Sequence, residues 1–435
     1  MDCGKEYQEK KMSATEVACR IPDHSDIYSD IFLAQPKTIY EAINHRCEED
    51  SLRGCRITTF LELYPLVCYE EPLRFAGNLT GRSIFCSGLS RRAVDSGVAD
   101  YMPSTYCDLP AQVREYFNVD VFLISVSPMD RHGFMSLGVT GAASAEYLKK
   151  AKRIFVEVNR QMPYCAEAPK VHISQIDALC EADYMLPELD PPKIDDVSRK
   201  IAGFITERIP NGACLQLGIG SIPDAVGMEL KTKHHLGIHT EMLTDSMIAL
   251  LESGAADNSR KKLHAGKTIA TFAYGSEQMY KYIDHNPSLA ILPVDYVNNP
   301  YVIAQNDDVI SVNAALEVDL TGQVCAESLG HKMFSGSGGQ LDYVRGALMS
   351  RGGMSFIAFP STAKNNTISK IRPVLSAGAG VTTNRNEVDM IVTEYGVAKL
   401  RGRSFGERAK ELIRIAHPDF REQLQFEAVK MGIML

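Results

Sequence analysis

Short apolar runs rich in β-branched residues recur along the chain, separated by longer segments with helical spacing. Five of these runs predict buried strands: residues 121–126, 153–158, 289–294, 354–359 and 390–393. A polar or turn-forming residue follows each run, as is usual where a strand ends. Continuous apolar runs that alternate with helices are typical of parallel sheets covered by crossover helices. This pattern predicts an α/β fold.

The most probable domain boundary is the segment 189–193, which reads Leu-Asp-Pro-Pro-Lys. Two adjacent prolines in a polar stretch disfavour regular structure. A chain of 435 residues is also too long for one ordinary domain and suggests two of about 200 residues each. We therefore expect an N-terminal α/β domain over residues 1–191 and a C-terminal α/β domain over residues 192–435. A helix should begin near Asp195, with Asp196 or Ser198 as its cap.

The two halves share a weak internal similarity. Residues 126–138 (VSPMDRHGFMSLG) resemble residues 317–330 (EVDLTGQVCAESLG), with Asp130 and Gly133 matching Asp319 and Gly322. Two related half-domains would explain this pattern, and so would chance.

Composition excludes several classes of function. The net charge of -8, with 45% hydrophobic and 23% charged residues, is that of a soluble globular protein and disfavours nucleic acid as a partner. No apolar run approaches the ~18 residues that cross a membrane. The first eleven residues are charged and lack a signal core, so we expect a cytoplasmic protein. The 11 cysteines are scattered without a Cys-x-x-Cys pair, which argues against a metal site or a disulfide framework.

A Gly-x-Gly turn follows the predicted strand near residue 215, in the sequence LQLGIGSIPDAV over residues 215–226. Gly218 and Gly220 would let the backbone approach a ligand, and the helix that starts near Pro223 offers free N–H groups. The motif lacks the full dinucleotide-binding spacing. A simple tight turn and a phosphate or oxyanion loop both fit it.

The segment 237–245 (GIHTEMLTD) carries a candidate nucleophile. In a strand, His239 and Glu241 would point to one face. A carboxylate at a strand end beside a cleft is a usable nucleophile, and with a reference pKa of ~4.3 it would be ionised at neutral pH unless strongly desolvated. An isolated Glu is, however, more often a surface residue.

Two further loops are candidates for ligand contact. Residues 334–347 contain Ser-Gly-Ser-Gly-Gly before a predicted helix, which would form a nest of backbone N–H groups or else a flexible loop. Residues 359–367 place Lys364 on a polar loop after a buried strand, where it would contact phosphate or simply solvent.

Glu394 follows the apolar run 390–393 and is therefore a rival to Glu241 as the nucleophile. A Glu in this position is more commonly buried and paired with an Arg. The sequence contains no Ser nucleophile elbow, zinc-ligand spacing, complete Walker loop or Rossmann fingerprint.

Taken together, these segments resemble the acetyl-CoA hydrolase/transferase family, in particular its 4-hydroxybutyrate CoA-transferase and butyryl-CoA:acetate CoA-transferase branch. The similarity runs from about residue 10 to the C-terminus. The segments that carry it most clearly are LQLGIGSIPDAV, GIHTEMLTD, EVDLTGQV, SGSGGQLDYVRGA, FPSTAKNNTISKI, GAGVTTNRNEVDMIVTEYGVAKLRGRS and IAHPDFREQL.

The resemblance implies two open α/β CoA-transferase domains with mainly parallel sheets and an active site in the cleft between them. It also implies that Glu241 is the nucleophile and that the backbone N–H groups of Ile219 and Gly338 are the oxyanion donors. The CoA-contacting positions that it implies are Gly218, Ile219, Gly220, Ser221, Ile222, Asn313, Gly338, Gly339 and Lys364. No metal and no permanently bound cofactor are expected, and coenzyme A and acyl-CoA enter as substrates. A homodimer is expected, in line with the symmetry of most oligomers.

The function that we expect is transfer of CoA from an acyl-CoA to a short-chain carboxylate such as 4-hydroxybutyrate or butyrate, by ping-pong catalysis through a glutamyl-CoA thioester. An acyl-CoA hydrolase using the same site, a CoA-transferase for a dicarboxylate such as itaconate or succinate, and a non-catalytic acyl-CoA sensor are the alternatives. The chain departs from the family near residues 23–36, where Gln35 replaces the usual acid. The dicarboxylate alternative depends on that change, which would remove a negative charge if the Gln35 side chain faced the cleft.

Overall fold

The computed structural model describes residues 2–434, which form two compact units. The first unit contains the chain up to Leu189 together with Ile269–Tyr296 and Phe334–Gly336. The second contains Asp190–Thr268, Val297–Met333 and the chain from Ser337 onwards. Each unit is therefore assembled from more than one length of chain.

Residues 2–195 form nine strands and seven α-helices. The strands are β1 (Asp26–Ser29), β2 (Cys55–Thr59), β3 (Leu79–Ser83), β4 (Asp100–Tyr101), β5 (Val121–Val126), β6 (Phe134–Ser136), β7 (Arg153–Asn159), β8 (Lys170–His172) and β9 (Ala178–Ala182). The helices are α1 (Cys3–Lys10), α2 (Ala14–Cys19), α3 (Lys37–Glu48), α4 (Val67–Glu70), α5 (Arg91–Asp95), α6 (Leu109–Tyr116) and α7 (Ser144–Lys150).

The remaining chain contributes β10 (Cys214–Leu217), β11 (Gly237–Ile238), β12 (Met242–Leu243), β13 (Thr268–Ala270), β14 (Phe272–Ala273), β15 (Leu289–Ile291), β16 (Val309–Ala314), β17 (Glu317–Asp319), β18 (Val324–Cys325), β19 (Ser328–Leu329), β20 (Lys332–Met333), β21 (Met354–Ala358), β22 (Thr362–Ala363), β23 (Ile368–Ser369), β24 (Ile371–Arg372), β25 (Met390–Thr393) and β26 (Gly396–Lys399). Its helices are α8 (Asp196–Thr206), α9 (Ser221–Glu229), α10 (Asp245–Glu252), α11 (Glu277–Ile283), α12 (Val294–Val297), α13 (Pro300–Ile303), α14 (Gln340–Met349), α15 (Phe405–Arg414) and α16 (Pro418–Lys430). Short 3-10 helices cover Phe32–Ala34, Ile173–Gln175 and Leu230–Thr232.

The first unit is built on a seven-stranded sheet in the order β4-β3-β2-β1-β5-β7-β9, and all of its neighbouring strands run parallel. Strand β5 is buried along its whole length, as expected for a sheet covered on both faces. The core includes Ile39 and Tyr40 of α3, which pack with sheet residues such as Ile57 and Leu123. Burying an apolar side chain of this size contributes about 1.5–3 kcal/mol.

The second unit is built on a six-stranded sheet in the order β11-β10-β16-β21-β25-β26. The strands are parallel except for β26, which pairs antiparallel with β25. Its core joins the sheet residues Ile357 and Ile391 to Leu412 of α15 and Leu424 of α16. The predicted α/β class with mainly parallel sheets is confirmed.

In the second unit, the chain order of the strands reverses direction between β10 and β16. From β10 the chain adds β11 on one side, and from β16 it adds β21 and β25 on the other. The connections that leave the carboxyl ends of β10 and β16 therefore diverge and leave a crevice, which is the usual ligand position in an open α/β sheet.

The two segments with internal similarity have the same turn geometry. In each, the Asp side chain accepts hydrogen bonds from the N–H groups two and four residues later, around Asp130 and around Asp319. In each, the glycine three residues after the Asp has a positive φ, 85° at Gly133 and 94° at Gly322, and donates its N–H to the Asp carbonyl. The shared turn supports an origin of the two units by duplication.

The remaining expectations about local structure have mixed outcomes. Helix α8 begins at Asp196, and its cap is Asp195, whose carboxylate accepts the Ser198 N–H at 2.7 Å, so the two predicted caps were wrong. The predicted strand 289–294 stops at Ile291, because Pro293 lacks a donor for the ladder and a helix begins at Val294. In the described part of the chain, no helix is sufficiently long and apolar to span a bilayer.

Candidate active site

Glu241 lies at a bend directly after the carboxyl end of β11. Strand β11 pairs with β10, and the His239 N–H extends this pairing by donating to the Leu215 carbonyl at 3.1 Å. The buried Thr240 stabilises the bend, since its hydroxyl donates to the Met242 carbonyl at 3.1 Å. The chain thus leaves the sheet edge with the Glu241 side chain close to the crevice beside β10.

Asn298 and Gly339 hold the Glu241 carboxylate. The Asn298 side-chain Nδ2 donates to Glu241 Oε2 at 2.6 Å, and Asn298 itself is fully buried. The Gly339 N–H also bonds the carboxylate. A Cβ at position 339 would lie 1.9 Å from Glu241 Oε2 and 2.2 Å from Asn298 Nδ2. Position 339 must therefore be glycine because the carboxylate and its amide partner occupy the space of any side chain.

The surroundings of Glu241 keep its carboxyl group close to the point of ionisation at neutral pH. The side chain retains some exposure, but the protein around the carboxyl raises its pKa to about 7, and burial is the main cause. The hydrogen bond from Asn298 and the Gly339 N–H act in the opposite direction, and the negative charge of the buried Asp342 raises the pKa further. Glu241 is thus a poorly solvated carboxylate, which is a stronger nucleophile than one in water.

A polar network links the side chains of the paired strands β10 and β16. The buried Gln216 exchanges hydrogen bonds with Asn313, with N···O distances of 3.3 and 3.2 Å. Ser311 donates to Gln216 at 2.9 Å and accepts from Asn313 at 2.9 Å. This network fixes the orientation of the Asn313 amide, which is partly exposed at the crevice. The predicted ligand-contacting role of Asn313 stays a prediction.

The Gly-x-Gly turn follows β10 at the same crevice. Gly218 packs against the Val312 carbonyl, 3.3 Å from where its Cβ would be. Gly220 has φ 114° and ψ 179°, a conformation open in practice only to glycine. Ile219 is exposed. The Ser221 hydroxyl accepts a hydrogen bond from Ser198 of α8 at 3.0 Å, and Ile222 is buried; the predicted contacts of these two residues with CoA stay predictions.

The second glycine turn leads into α14 beside Glu241. Gly338 has a φ of 53°, and Gly339 precedes the first residue of the helix. Among residues 2–434, no hydrogen-bond acceptor is seen for the N–H of Gly338 or of Ile219. Both groups are thus available for an oxyanion, as the family resemblance implies.

Two sequence comparisons identify the family of the chain. The profile of the acetyl-CoA hydrolase/transferase N-terminal domain matches residues 1–188. The profile of the C-terminal domain matches residues 275–428. The chain belongs to the acetyl-CoA hydrolase/transferase family.

The relatives that match over nearly the whole chain at 37–45% identity are CoA-transferases, and more distant relatives at 27% identity are acetyl-CoA hydrolases. The chain is 45% identical over 428 residues to the succinyl-CoA:cyclohexane-1-carboxylate CoA transferase of Geobacter metallireducens, covering 98% of this chain and 97% of the relative. It is 42% identical to the 4-hydroxybutyrate coenzyme A transferase of Clostridium kluyveri, covering 98% of each chain. The crystal structure of RipA from Yersinia pestis superimposes with a TM-score of 0.94 at 38% identity and covers 100% of both chains. Full-length similarity at this level makes the chain a CoA-transferase enzyme.

Glu394, the rival candidate for the nucleophile, makes hydrogen bonds to the loop that follows β21. Its carboxylate accepts the Ser361 N–H at 2.9 Å and the Ser361 hydroxyl at 2.5 Å. Glu394 thereby anchors the chain where it leaves β21. Within residues 2–434, the Glu394 carboxylate forms no ion pair with an Arg, and Ser361 supplies its hydrogen bonds instead.

In the described part of the chain, Lys364 makes no hydrogen bond with the other residues that the family resemblance predicts for the site. It is exposed at the tip of the β22–β23 hairpin, where residues 364, 365 and 366 all have positive φ. No contact within the described chain joins it to Glu241 or to Asn313. Its predicted contact with CoA stays a prediction.

Gln35, at the position where the chain departs from its family, is fully buried in the first unit. Its amide donates to the Phe60 carbonyl at 3.2 Å and accepts the Leu63 N–H at 2.9 Å. The side chain thus holds a turn of the backbone. This observation removes the basis on which Gln35 suggested a dicarboxylate substrate.

Asn298 is the site residue that the sequence analysis missed. It lies 57 positions from Glu241, so no local pattern links the two. The signal present in the sequence was the pair Asn298-Asn299 before Pro300, which places two amides in a turn just after a predicted strand.

We predict that Gly339→Ala abolishes most of the activity without unfolding the protein. The added methyl group would displace the Glu241 carboxylate or the Asn298 amide, and misplacing a reacting group by about 1 Å can cost roughly 100-fold in rate. The measurement is kcat with an acyl-CoA donor and acetate as the acceptor, together with the melting temperature.

The matched control is Gly203→Ala in α8, where a Cβ meets no atom within 4 Å. We expect this variant to keep wild-type activity and to be slightly more stable, since Ala in a helix is favoured over Gly by about 1 kcal/mol. Wild-type turnover by Gly339→Ala would contradict the geometry described for Glu241.

Proposed function

We propose that the protein transfers CoA from an acyl-CoA to a short-chain carboxylate and that Glu241 is the covalent nucleophile. The observation that carries the proposal is the desolvated Glu241 carboxylate, which the Asn298 amide holds at 2.6 Å beside a glycine turn. A poorly solvated carboxylate that has its own hydrogen-bond donor and keeps some exposure is suited to attack a thioester carbonyl.

The reaction needs no ATP, because the donor and product thioesters are similar in energy. Glu241 attacks the acyl carbonyl of the donor, CoA leaves as a thiolate, and an acyl-glutamyl anhydride forms. The thiolate then attacks the Glu241 carbonyl, which expels the first carboxylate and gives a glutamyl-CoA thioester. A second carboxylate reverses both steps, so the enzyme returns to its starting state by ping-pong kinetics. Holding the thiolate beside the anhydride contributes about 7–11 kcal/mol through proximity.

Two different oxyanions form during this sequence and each needs donors. Attack on the acyl group places negative charge on the substrate oxygen, for which we propose the free N–H groups of Ile219 and Gly338. Attack on the Glu241 carbonyl places the charge on a Glu241 oxygen, and Asn298 Nδ2 already donates to Oε2. Losing one such donor typically costs about 3–4 kcal/mol.

Hydrolysis of the acyl-CoA at the same site is the second candidate function. It requires the same nucleophile and loops, and differs only in whether water resolves the intermediate. In the proposed path the neighbouring thiolate captures the reactive anhydride before water can. The glutamyl-CoA thioester that results then waits for a second carboxylate, and this favours transfer over hydrolysis. An acyl-CoA sensor would have no need of a desolvated carboxylate with a dedicated amide partner.

The acceptor acid that we propose is a short-chain monocarboxylate such as 4-hydroxybutyrate or butyrate. The buried position of Gln35 gives no support to a dicarboxylate. The cyclohexane-1-carboxylate relative shows that members of the family at similar identity take a ring acid, and an acceptor panel that includes this acid defines the range. We further propose that the protein is cytoplasmic and works as a homodimer.

We predict that incubation with an acyl-CoA gives a CoA thioester on Glu241. Digestion and mass spectrometry should locate the adduct on the peptide containing residue 241, and borohydride should reduce that residue to the alcohol. Glu241→Gln should form no adduct, whereas Glu394→Gln should still form it. An adduct on Glu394, or full activity in Glu241→Ala, would show that the nucleophile assignment is wrong.

We predict that kcat/KM falls on the acid side of a pKa of about 7. Burial raises the pKa of Glu241, so the carboxylate that attacks the thioester is lost as the pH drops through this value, by about tenfold per pH unit well below it. In Asp342→Asn this fall, the acid limb of the profile of kcat/KM against pH, should move to lower pH. The reason is that the substitution removes the like charge that raises the pKa of Glu241. A limb at the ordinary Glu pKa, near pH 4.5, would contradict the desolvated state of Glu241.

A further inference from the structure

The His239 side chain, two residues before Glu241, is buried and makes one hydrogen bond. Its Nε2 lies 2.8 Å from the Val297 carbonyl oxygen. A carbonyl only accepts, so the imidazole proton is on Nε2 and the ring donates it. Nδ1 is consequently an acceptor, and it has no partner within residues 2–434. The ring therefore has a single polar contact, and that contact is with the residue preceding Asn298.

The Val297 carbonyl joins the elements that surround Glu241. It accepts the bond from His239 and also a longer one, at 3.4 Å, from the hydroxyl of Tyr343. Tyr343 is on α14, the helix that begins just after Gly339, and the ring of His239 meets the Tyr343 ring edge-on. The Val297 carbonyl thus links three parts of the chain by hydrogen bonds: His239, the segment that contains Asn298, and the first turns of α14.

The strand before His239 is fixed by side chains of the loop 257–268. Asn258 accepts the Ile238 N–H at 2.8 Å, and the buried Lys261 ammonium donates to the Ile238 carbonyl at 2.9 Å. The N–H and the carbonyl of Ile238 are therefore both hydrogen-bonded to side chains of this loop. Lys261 also donates to the Lys267 carbonyl at 2.7 Å, so the ammonium is held by backbone oxygens on two sides.

Burial, together with the charged groups around His239, keeps its ring neutral. Burial lowers the pKa of His239 to about 3, and the positive charges of Lys261 and His264 act in the same direction. In this neutral form the ring donates its proton to the Val297 carbonyl. Proton transfer is not a role for His239, since its one proton is engaged and the CoA-transfer steps move no proton.

We propose that His239 is a positioning residue, which acts through the Val297 carbonyl to hold the Asn298 amide against the Glu241 carboxylate. The inference rests on the proposed function, because its effect is on the nucleophile. Within the described chain the Asn298 side chain makes no hydrogen bond besides the one to Glu241, since its Oδ1 is unpartnered. No other hydrogen bond orients this side chain, so its place beside Glu241 depends on its packing and its backbone, and the His239 bond to Val297 fixes that backbone one residue away.

The test compares His239→Asn with His239→Gln. The Gln amide reaches the position of Nε2 and can donate to Val297, whereas the Asn amide is one methylene shorter and reaches only the position of Nδ1. We expect His239→Asn to lower kcat about 10- to 100-fold while KM for the acyl-CoA changes less than about twofold, because the CoA-binding loops are untouched. His239→Gln should recover most of the lost kcat.

The pH profile separates positioning from a general loss of stability. The hydrogen bond from Asn298 lowers the pKa of Glu241, against the burial and the Asp342 charge that raise it. If His239→Asn withdraws the amide, the acid limb of kcat/KM moves to higher pH. The same shift should appear in Asn298→Ala, and the double variant should be no worse than Asn298→Ala alone.

Additive losses in the double variant, an unmoved acid limb, or equal activity of His239→Asn and His239→Gln would overturn the inference. If His239→Asn does not fold, Tyr343→Phe carries the test, since it removes the other donor to the same carbonyl and should shift the limb in the same direction by a smaller amount. Failure of the proposed function is distinguishable, because the wild-type protein would then form no CoA adduct on Glu241.

Discussion

The structure around the active site depends on the balance between the burial of the Glu241 carboxylate and the need to keep it charged. Burial shields the proposed nucleophile from water, but it also disfavours the ionised carboxylate and raises its pKa to about 7. The Asn298 amide and the Gly339 N–H offset part of this cost. The Glu241 carboxylate and the Asn298 amide occupy a space that is available only because position 339 has no side chain.

The fold brings these groups together at one edge of the second sheet. Strand β11 delivers Glu241, β10 ends in the glycine turn at Gly218, and β16 ends at Asn313 and Ala314. These strands are parallel, so their carboxyl ends share an edge, and the reversal of strand order between β10 and β16 opens a crevice there. The Gln216–Asn313 network links the ends of β10 and β16, so the Asn313 amide at this edge is held by the sheet itself.

The sequence predicted the parts of the structure that depend on local chemistry. The strands at 121–126 and 390–393 are found at those limits, and the helices after both glycine turns are present, because apolar runs, proline and glycine act within a few residues. The strand expected over 289–294 is shorter, since Pro293 interrupts the ladder. The Asp130 and Asp319 turns, whose similarity in sequence was weak, have matching hydrogen bonds.

The contacts that define the site were beyond the reach of local patterns. Glu241 and Asn298 are distant in the chain, as are His239 and Val297, and no periodicity signals such a pair. Gln35 shows the opposite problem, in which a local pattern suggested a functional change. Its substitution for a family acid suggested an altered charge in the substrate site. In the structure its amide instead makes hydrogen bonds to backbone groups in the interior. A change of residue type predicts a change of function only when the direction of the side chain is known.

The most direct measurement of the central claim is the transfer of oxygen from the acceptor acid to the enzyme. With an acceptor carboxylate labelled with oxygen-18, attack on the glutamyl-CoA thioester and return of the thiolate to the acyl carbonyl leave one labelled oxygen on Glu241. We predict that after turnover the peptide containing Glu241 gains the label and the peptide containing Glu394 does not. Formation of the product thioester with no label on Glu241, or with the label on Glu394, would contradict the account.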